Sequence, residues 1–425
     1  MPHPTDIWTH PAFILISSIL AAWLISVRIY PVIIYIVQKK NLMDEPEERS
    51  SHGSKTPTLG GVGMFLSFSL VLMLFGLIAD VSKPDLVKII AVVAATVILL
   101  FLGIKDDLIV LSPRKKFIGQ VLAAIIAIVA TDVRIFGFGS LLGLGELPYL
   151  ASLIFTLFVY LTVINAFNLI DGIDGLAGSV AGLVSLFFGI YFLINGQQML
   201  AVVSLALVGA IFGFLGYNLS DKNKLFMGDS GSLFLGYMLA YQGISFLMIN
   251  ASSSTPYSVP NATVVLLALL SFPLMDCLRV FTIRLLAGKS PFQADRNHIH
   301  HCYIRLGFTH KQATGMICAA NLLLVGLVLS MGSLNLNLQL FIGFATGACL
   351  YLYPFLIWKN RLRQDRLDTP VAQFQEGTEP ASVVREIQHK RTRNLNDAMG
   401  KTMAERNGEL PVAKSERTMR DVAKG

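Results

Sequence analysis

The stretch from Pro11 to Val37, P-A-F-I-L-I-S-S-I-L-A-A-W-L-I-S-V-R-I-Y-P-V-I-I-Y-I-V, decides the fold class of this sequence. Arg28 is the only charged side chain in it. A run of about 20 apolar residues matches the thickness of the hydrocarbon core of a bilayer. In lipid such a run must be a helix, because a lone strand would leave its backbone hydrogen-bonding groups unpaired. The stretch therefore predicts a membrane-spanning helix.

Long apolar runs recur along the chain, at Leu86–Gly103, Val180–Leu193 and Val264–Phe281. Of the 425 residues, 54% are hydrophobic and 14% are charged, whereas a soluble domain carries roughly 25% charged residues. We therefore expect an all-α, polytopic membrane protein with about eleven transmembrane helices. The predicted spans are 11–37, 58–79, 86–104, 116–131, 150–169, 173–194, 198–218, 231–250, 262–286, 311–331 and 336–358.

The composition changes after the last span. Residues 1–360 form the predicted transmembrane catalytic domain, and residues 361–425 form a polar tail of mixed charge with few aromatic side chains. Such a tail cannot bury much apolar surface, so we expect it to be largely disordered.

The basic residues predict the orientation. The net charge of +7 could suggest nucleic acid, but loop bias accounts for it better, and we expect membrane lipids and no nucleic acid as partners. Lys and Arg gather in the connections after spans 1, 3, 7 and 9, whereas those after spans 6, 8 and 10 have none. The positive-inside bias puts the N-terminus outside and the C-terminus in the cytoplasm.

Five polar clusters interrupt the apolar pattern, and all fall in odd-numbered connections, which predicts one site at one membrane face. The first, Asp44–Gly61, contains Arg49, His52 and Lys55, which could bind phosphate. An ordinary charged loop is the alternative.

The second cluster holds the adjacent carboxylates Asp106 and Asp107, followed by Lys116 and Gln120. Two carboxylates at the end of a span repel each other and are costly to desolvate. A divalent cation, a nearby lysine or a shared proton would offset that cost. A plain end-cap of the span is the alternative.

The third cluster is N-A-F-N-L-I-D-G-I-D-G-L-A-G. Asn165 and Asn168 are three residues apart, as are Asp171 and Asp174, and on a helix each pair would share a face. The glycines indicate a break at which free N–H groups of the next helix can meet an anion. So many Asn and Asp residues between two apolar spans favour a functional site.

The fourth and fifth clusters complete this set. Asp229 stands between glycines before an apolar run, where it could cap a helix or bind Mg²⁺, a cation that prefers one or two carboxylates plus substrate phosphates. The fifth cluster contains His298, His300 and His301, followed by Arg305. Phosphate binding or proton transfer suits these histidines better than zinc or a purely structural role. Together the clusters indicate phosphoryl transfer, which needs mainly positioning and charge neutralisation.

From Asp44 to Phe308 the order and spacing of these clusters resemble the polyprenyl-phosphate N-acetylhexosamine-1-phosphate transferase family. The resemblance implies UDP-sugars, Mg²⁺ (for which Mn²⁺ could substitute), a polyprenyl phosphate and a fold of about ten or eleven helices. The stretch S-P-F-Q-A-D-R-N-H-I-H-H is similar to the bacterial branch that uses N-acetylglucosamine-1-phosphate and undecaprenyl phosphate. The peptidoglycan branch has a differently patterned histidine motif.

The resemblance also implies roles for single residues. The metal ligands would be Asn168 and Asp229, and the catalytic residues would be Asp106, Asp107, Asp171, Asp174, Lys116 and His298. His300 and His301 match the histidine loop of the family. Together with Arg305 and with residues suggested by their own chemistry, they are the candidate substrate-binding residues: Arg49, His52, Lys55, Asn165, His300, His301 and Arg305. Some relatives carry a third acid three residues beyond the acidic pair, where this chain has Val110. A mechanism that needs that acid is therefore not expected here.

We therefore expect transfer of N-acetylglucosamine-1-phosphate from UDP-N-acetylglucosamine to undecaprenyl phosphate, with release of UMP. The product would begin a cell-surface glycan such as an O-antigen, enterobacterial common antigen or teichoic acid, at the cytoplasmic face of the bacterial inner membrane. The alternatives are another UDP-N-acetylhexosamine or UDP-muramyl-pentapeptide as donor and, outside enzymes, an ion-coupled transporter. A transporter should place its ionisable residues in mid-span, whereas here they crowd at span ends. An oligomer is compatible with the sequence.

Overall fold

The structure, a computed structural model, describes residues 10–40, 43–44, 56–79, 81–139, 141–288 and 298–368, with side chains up to residue 360 except at 43–44. The chain divides into two units, Met1–Arg361 and Leu362–Gly425. Of the second unit, only the backbone of residues 362–368 belongs to the described part. The predicted disorder of the tail therefore lies almost wholly outside the described residues, as do Arg49, His52 and Lys55.

The described chain is almost entirely helical. The helices are α1 Pro11–Lys39, α2 Gly60–Ile78, α3 Lys83–Ile109, α4 Pro113–Thr131, α5 Tyr149–Ile170, α6 Leu176–Ile194, α7 Gln198–Asn218, α8 Gly228–Ala251, α9 Ala262–Leu269, α10 Ser271–Leu286, α11 Ile299–Arg305, α12 His310–Ser330 and α13 Leu336–Asp368, with a short 3₁₀ turn at Leu141–Gly143. Two strands of two residues each, β1 Met43–Asp44 and β2 Thr56–Pro57, pair antiparallel.

The helices match the predicted spans. Among the described residues, nine helices are long and apolar enough to cross a membrane. The ninth predicted span is broken, since α9 and α10 meet at an angle of 71°, and this pair would be a tenth span. The fourth corresponds to α4, which has the length of a span but begins with Arg114, Lys115 and Lys116. The expectation of an all-α polytopic membrane protein is confirmed.

The bundle has a protein-facing centre and a lipid-facing rim. The apolar segments of α7 and α8 are 83% buried, whereas those of α1 and α13 are 22% buried. Large apolar side chains such as Leu77, Phe101 and Val129 point outward and are more than two-thirds exposed. An exposed apolar surface of this kind needs lipid as its solvent, so this chain is a multi-pass membrane protein.

Two glycines let α2 and α3 approach the start of α8 backbone to backbone. A Cβ atom added to Gly103 would lie 2.3 Å from the Cα of Ser230. A Cβ atom added to Gly61 would lie 2.1 Å from the backbone nitrogen of Gly231. Small residues at such crossings are the usual device for close helix packing in membranes. The approach brings the polar end of α3 against the first turn of α8.

Residues at the start of α2 and just before it also pair with the segment that leads into α8. The backbone N–H of Phe226 donates to the carbonyl of Pro57 at 2.9 Å, and the N–H groups of Gly60 and Gly61 donate to the carbonyls of Phe226 and Met227 at 2.9 and 3.0 Å. This pairing fixes the segment before Asp229.

Candidate active site

Polar helix ends meet around a cavity of about 280 Å³. The end of α3, the end of α5, the turn after α5 and the start of α8 all contribute side chains to its wall. The lining residues are Thr58, Asp107, Asn168, Asp171, Gly172, Ile173, Asp174, Asn218, Phe226, Met227, Gly228, Asp229 and His310. Four of the five predicted clusters contribute to this wall, since Thr58 belongs to the first cluster, and they thus come together as their shared membrane face suggested.

Lys116 joins two acids from different helices at the edge of this cavity. Its Nζ atom lies 2.5 Å from Oδ2 of Asp106 at the end of α3 and 2.5 Å from Oδ2 of Asp229 at the start of α8. All three side chains are largely but not fully buried, which strengthens their attraction relative to a pair in water. The sequence left open whether a cation, a lysine or a shared proton offsets the charge of the Asp106–Asp107 pair. In the structure a lysine, Lys116, lies against Asp106.

Asp107 holds the start of α8. Its Oδ1 and Oδ2 atoms accept hydrogen bonds from the backbone N–H groups of Asp229, at 2.7 Å, and Ser230, at 3.2 Å. A carboxylate here satisfies helix N–H groups that lack an intrahelical partner and interacts favourably with the helix dipole. The capping role considered for Asp229 therefore belongs to Asp107, and the carboxylate of Asp229 is left for other contacts.

The two asparagines of the third cluster contact different helices. The amide nitrogen of Asn168 donates to Oδ1 of Asp229 at 2.9 Å and to the hydroxyl of Ser232 at 2.9 Å. Asn165 donates instead to Gln120 on α4 at 2.9 Å and is not part of the cavity wall described above. Asn168 lies in the site, whereas Asn165 joins α4 to α5.

The two acids of the same cluster lie in a turn, because α5 ends at Ile170, and their environments are opposite. Burial, together with the negative charges of Asp229, Asp107 and Asp174, raises the pKa of Asp171 well above its ordinary value. Asp174 accepts hydrogen bonds from Lys224 and from the ring of His310, each at 2.7 Å. Burial acts to raise the pKa of Asp174, but these two partners outweigh it and lower that pKa.

The histidine segment is organised by Asp276, which is fully buried on α10. Its carboxylate lies 2.8 Å from Nδ1 of His298 and accepts the backbone N–H of Ile299 at 2.8 Å. Asp276 is thus a positioning group for this segment rather than part of a mid-span ion path. Residues 289–297, including Arg296, lie outside the described residues.

His300 is the histidine of this segment that packs behind the cavity wall, against the lining residue Gly172. It is 1% exposed, and its Nε2 atom lies 2.3 Å from where a Cβ atom on Gly172 would be. Neither ring nitrogen has a hydrogen-bond partner among the described residues. Burial first, and the neighbouring histidines second, lower the pKa of His300 well below its usual value. The described structure thus favours a neutral imidazole at this wall.

The remaining members of the segment make other contacts. The guanidinium of Arg305 is 5.0 Å from the centre of the Trp358 ring, and the ring of His301 is 4.3 Å from that of His300. Neither residue, nor His298, belongs to the described lining of the cavity. The alternative of a zinc site gains no support, because the described residues contain no cluster with metal-ligand geometry.

Sequence reasoning missed two residues that the structure places in the site, His310 and Lys224. In the sequence, Lys224 is one of the basic residues in the connection after span 7, and His310 directly precedes the predicted span 311–331, outside all five clusters. A signal was present at His310, since Thr309 and Gln312 form the capping box of α12. The capping box predicts that a helix begins at His310, at the same membrane face as the polar clusters. A histidine in that first turn is therefore a candidate site residue.

The family profile and the curated relatives that match this chain agree on one family. The profile described as Glycosyl transferase family 4 matches residues 89–247. A Salmonella typhi protein named undecaprenyl-phosphate alpha-N-acetylglucosaminyl 1-phosphate transferase is 31% identical over 314 residues, 71% of this chain and 81% of the relative. The Escherichia coli K12 protein of that name is 29% identical over 298 residues, 69% and 77% of the two chains.

A third relative has a different acceptor in its name. The decaprenyl-phosphate N-acetylglucosaminephosphotransferase of Mycolicibacterium smegmatis is 31% identical over 291 residues, 64% of this chain and 71% of the relative. The three names agree on the transferred sugar phosphate and differ in the length of the polyprenyl acceptor.

Proposed function

Since the chain belongs to glycosyl transferase family 4 and is a phosphoglycosyl transferase, we propose that it transfers N-acetylglucosamine-1-phosphate from UDP-N-acetylglucosamine to undecaprenyl phosphate and releases UMP. The names of three relatives support the sugar, and two of them support undecaprenyl phosphate as acceptor. The product would be the first membrane-bound intermediate of a cell-surface glycan.

The observation that carries this proposal is the position of Lys116 between Asp106 and Asp229, 2.5 Å from each. Phosphoryl transfer brings negatively charged oxygens together, so its transition state is stabilised by a fixed positive charge at the point of transfer. Lys116 supplies such a charge at the edge of an acidic cavity. Its place at a helix end suits an acceptor whose phosphate sits at the membrane surface and whose chain lies in lipid.

The acidic cavity also fits Mg²⁺. Four carboxylates line it, those of Asp107, Asp171, Asp174 and Asp229. The raised pKa of Asp171 reflects, after burial, their mutual repulsion, which a hard cation with oxygen ligands would relieve. We propose that Asn168 and Asp229 hold the ion, with Asp171 as a further carboxylate.

The described residues contain no group of three or more acidic, histidine or cysteine side chains arranged around one point. The ion would therefore complete its coordination with phosphate oxygens and water, as Mg²⁺ commonly does. When bound, it would neutralise phosphate charge and orient the donor diphosphate.

The simplest mechanism is a direct displacement. An oxygen of the acceptor phosphate attacks the β-phosphorus of the donor, the bond from this phosphorus to the oxygen bridging the two phosphates breaks, and UMP leaves with the electron pair. A phosphate monoester has a second pKa of about 6, so at neutral pH it is mostly dianionic and needs no strong base. Asp106 then holds Lys116 in place, and Lys116 offsets the charge of the incoming oxygens.

The site-bearing helix ends all lie at one membrane face. We propose that this is the cytoplasmic face of the bacterial inner membrane, where nucleotide sugars are available. Four basic residues lie at the membrane face of the site, Arg114 and Lys115 in the first turn of α4 and Lys222 and Lys224 in the connection before α8. This distribution supports the orientation under the positive-inside rule.

Purified protein with undecaprenyl phosphate and a panel of UDP-sugars tests the proposal through the rate of UMP release. We expect release with UDP-N-acetylglucosamine, at least about 5-fold slower release with UDP-N-acetylgalactosamine, whose axial hydroxyl leaves a buried polar group unpaired, and none without acceptor. Equal rates with both donors would contradict the assignment of the sugar. A preference for UDP-muramyl-pentapeptide would place the chain in the peptidoglycan branch.

A further inference from the structure

His310 is the only basic side chain among the described residues that line the acidic cavity. It is the first residue of α12, where the Thr309–Gln312 capping box fixes the direction of the helix. One turn later the hydroxyl of Thr314 donates to the backbone carbonyl of Asp174 at 2.9 Å. The first turns of α12 therefore hold the 171–175 turn against the cavity and fix the position of the imidazole.

One edge of the His310 ring is already engaged. Nδ1 lies 2.7 Å from the Asp174 carboxylate and 3.3 Å from the backbone nitrogen of the same residue. One nitrogen cannot donate to the first and accept from the second at once, and the shorter, charge-assisted contact decides in favour of an N–H at Nδ1. Lys224 donates to the same Oδ2 atom of Asp174 at 2.7 Å and helps to hold that carboxylate in place.

The opposite edge of the ring is available to a ligand. The ring is 22% exposed, and no described residue forms a hydrogen bond with Nε2. When both ring nitrogens carry hydrogen, Nδ1 donates to Asp174 and Nε2 donates to whatever anion enters the cavity. Every other ionisable side chain in the described lining is a carboxylate, so a phosphate there meets no Lys or Arg side chain in the wall.

We propose that His310 binds the phosphate of the departing nucleotide, through Nε2, while Asp174 orients the ring through Nδ1. The proposal rests on the proposed function, since it presumes a UDP-sugar donor. The acceptor phosphate belongs to the other part of the site, where Lys116 lies between Asp106 and Asp229. His310 thus serves donor binding and product release, and Lys116 serves the acceptor.

Two substitutions separate the role of Nδ1 from that of Nε2 in the His310 ring. His310→Asn places an amide near Nδ1, keeps a donor for Asp174 and removes the Nε2 edge. His310→Gln reaches about as far as Nε2 and keeps a donor towards the cavity. We measure KM for donor and acceptor, kcat, and inhibition by UMP and by uridine, which differ only in the phosphate.

For His310→Asn we expect KM for the UDP-sugar and the inhibition constant of UMP to rise about 10-fold or more, as loss of a charge-assisted hydrogen bond predicts. KM for the polyprenyl phosphate and inhibition by uridine should stay within about 2-fold, since neither contact involves Nε2. His310→Gln should bind UMP more tightly than His310→Asn. Lys311→Ala, a change at the exposed neighbouring residue, is the matched control and should behave as wild type.

Unchanged UMP inhibition in His310→Asn would overturn the proposal and limit His310 to holding Asp174. An equal loss of UMP and uridine inhibition would also overturn it, because the contact would then be with the nucleoside. If the Asn variant does not fold in detergent, the Gln variant decides: UMP inhibition as weak as that of His310→Ala contradicts a donor at Nε2. Absence of UMP release by the wild type would instead contradict the proposed function, so the two failures are distinguishable.

Discussion

Asp107 accepts a hydrogen bond from the backbone N–H of Asp229 at 2.7 Å, so one acid of the site sets the position of another. The same contact satisfies an N–H group at the start of α8 and places a negative charge on the helix axis. The two acids of the pair therefore have different roles. Asp106 forms an ion pair with Lys116, and Asp107 caps the start of α8. Each role has a distinct experimental signature.

The first prediction separates the structural and chemical roles of Asp107. Asp107→Ala should lower the free energy of unfolding by about 1 kcal/mol, the usual loss for a helix cap. Asp107→Asn retains an acceptor oxygen and should melt close to wild type in detergent, yet turn over about 10-fold or more slowly because the cavity loses a charge. Wild-type turnover in Asp107→Asn would limit Asp107 to capping α8 and exclude a role of its charge in the reaction.

The second prediction concerns Lys116. Lys116→Ala removes the positive charge between Asp106 and Asp229, so turnover should fall by roughly 10²-fold or more, as loss of a preorganised charge partner does elsewhere. Lys115→Ala is the matched control, because its side chain is exposed on the same first turn of α4. If both variants lose UMP release equally, general surface charge rather than Lys116 supports the reaction.

The third prediction concerns the metal. Asp229→Asn keeps the size of the side chain and should abolish most turnover, and EDTA should stop the wild-type enzyme until Mg²⁺ is added back. Asp85→Asn is the control: Asp85 lies on the same helix as Asp107, about 33 Å away at 1.5 Å per residue, and pairs with Lys88 near the surface. Full activity in excess EDTA would rule out the Mg²⁺ requirement.

The fourth prediction concerns the crossing of α3 and α8. Gly103→Ala puts a methyl group 2.3 Å from the Cα of Ser230, so the helices must separate, at a cost of about 1–3 kcal/mol. Turnover should fall with stability, since Asp106 and Asp107 follow on the same helix. In Gly315→Ala the new methyl meets no atom within 4 Å, and this control should be neutral or slightly stabilising. Similar melting temperatures for the two variants would contradict the tight crossing.

The fifth prediction concerns orientation. In a background without the four native cysteines, Lys115→Cys at the site face should resist a membrane-impermeant maleimide in intact cells. Tyr257→Cys, at an exposed position in the connection after α8, should react. Both should be labelled once the membrane is permeabilised, which shows that each thiol is accessible. Labelling of position 115 from outside would invert the proposed topology.

The spans were predictable because the signal is local. A run of apolar residues must face lipid wherever its neighbours are, so α1, α7 and α12 begin and end within two residues of the predicted limits. The break of 71° near Leu270 was not predicted, because the apolar pattern continues through it. The one local signal is Pro273, which has no backbone N–H to continue the helix from the preceding turn. The sequence identified the histidine segment as polar. That Asp276 binds His298 and the backbone of Ile299 could be seen only in the folded structure.

Hydropathy and charge depend on residue type and order alone, so the sequence was sufficient to predict the membrane class, the shared face of the polar clusters and the identity of the acids. Only the tertiary structure shows which charged side chains form pairs with one another. Lys116 and Asp229 are 113 residues apart and His310 and Asp174 are 136 apart, and no periodicity reports such pairings. Gly103 lets α3 approach the start of α8, which brings the residues of the first pair together. The second pair is held by α12, whose Thr314 donates to the backbone carbonyl of Asp174. Buried charges are stable only when they are paired in this way.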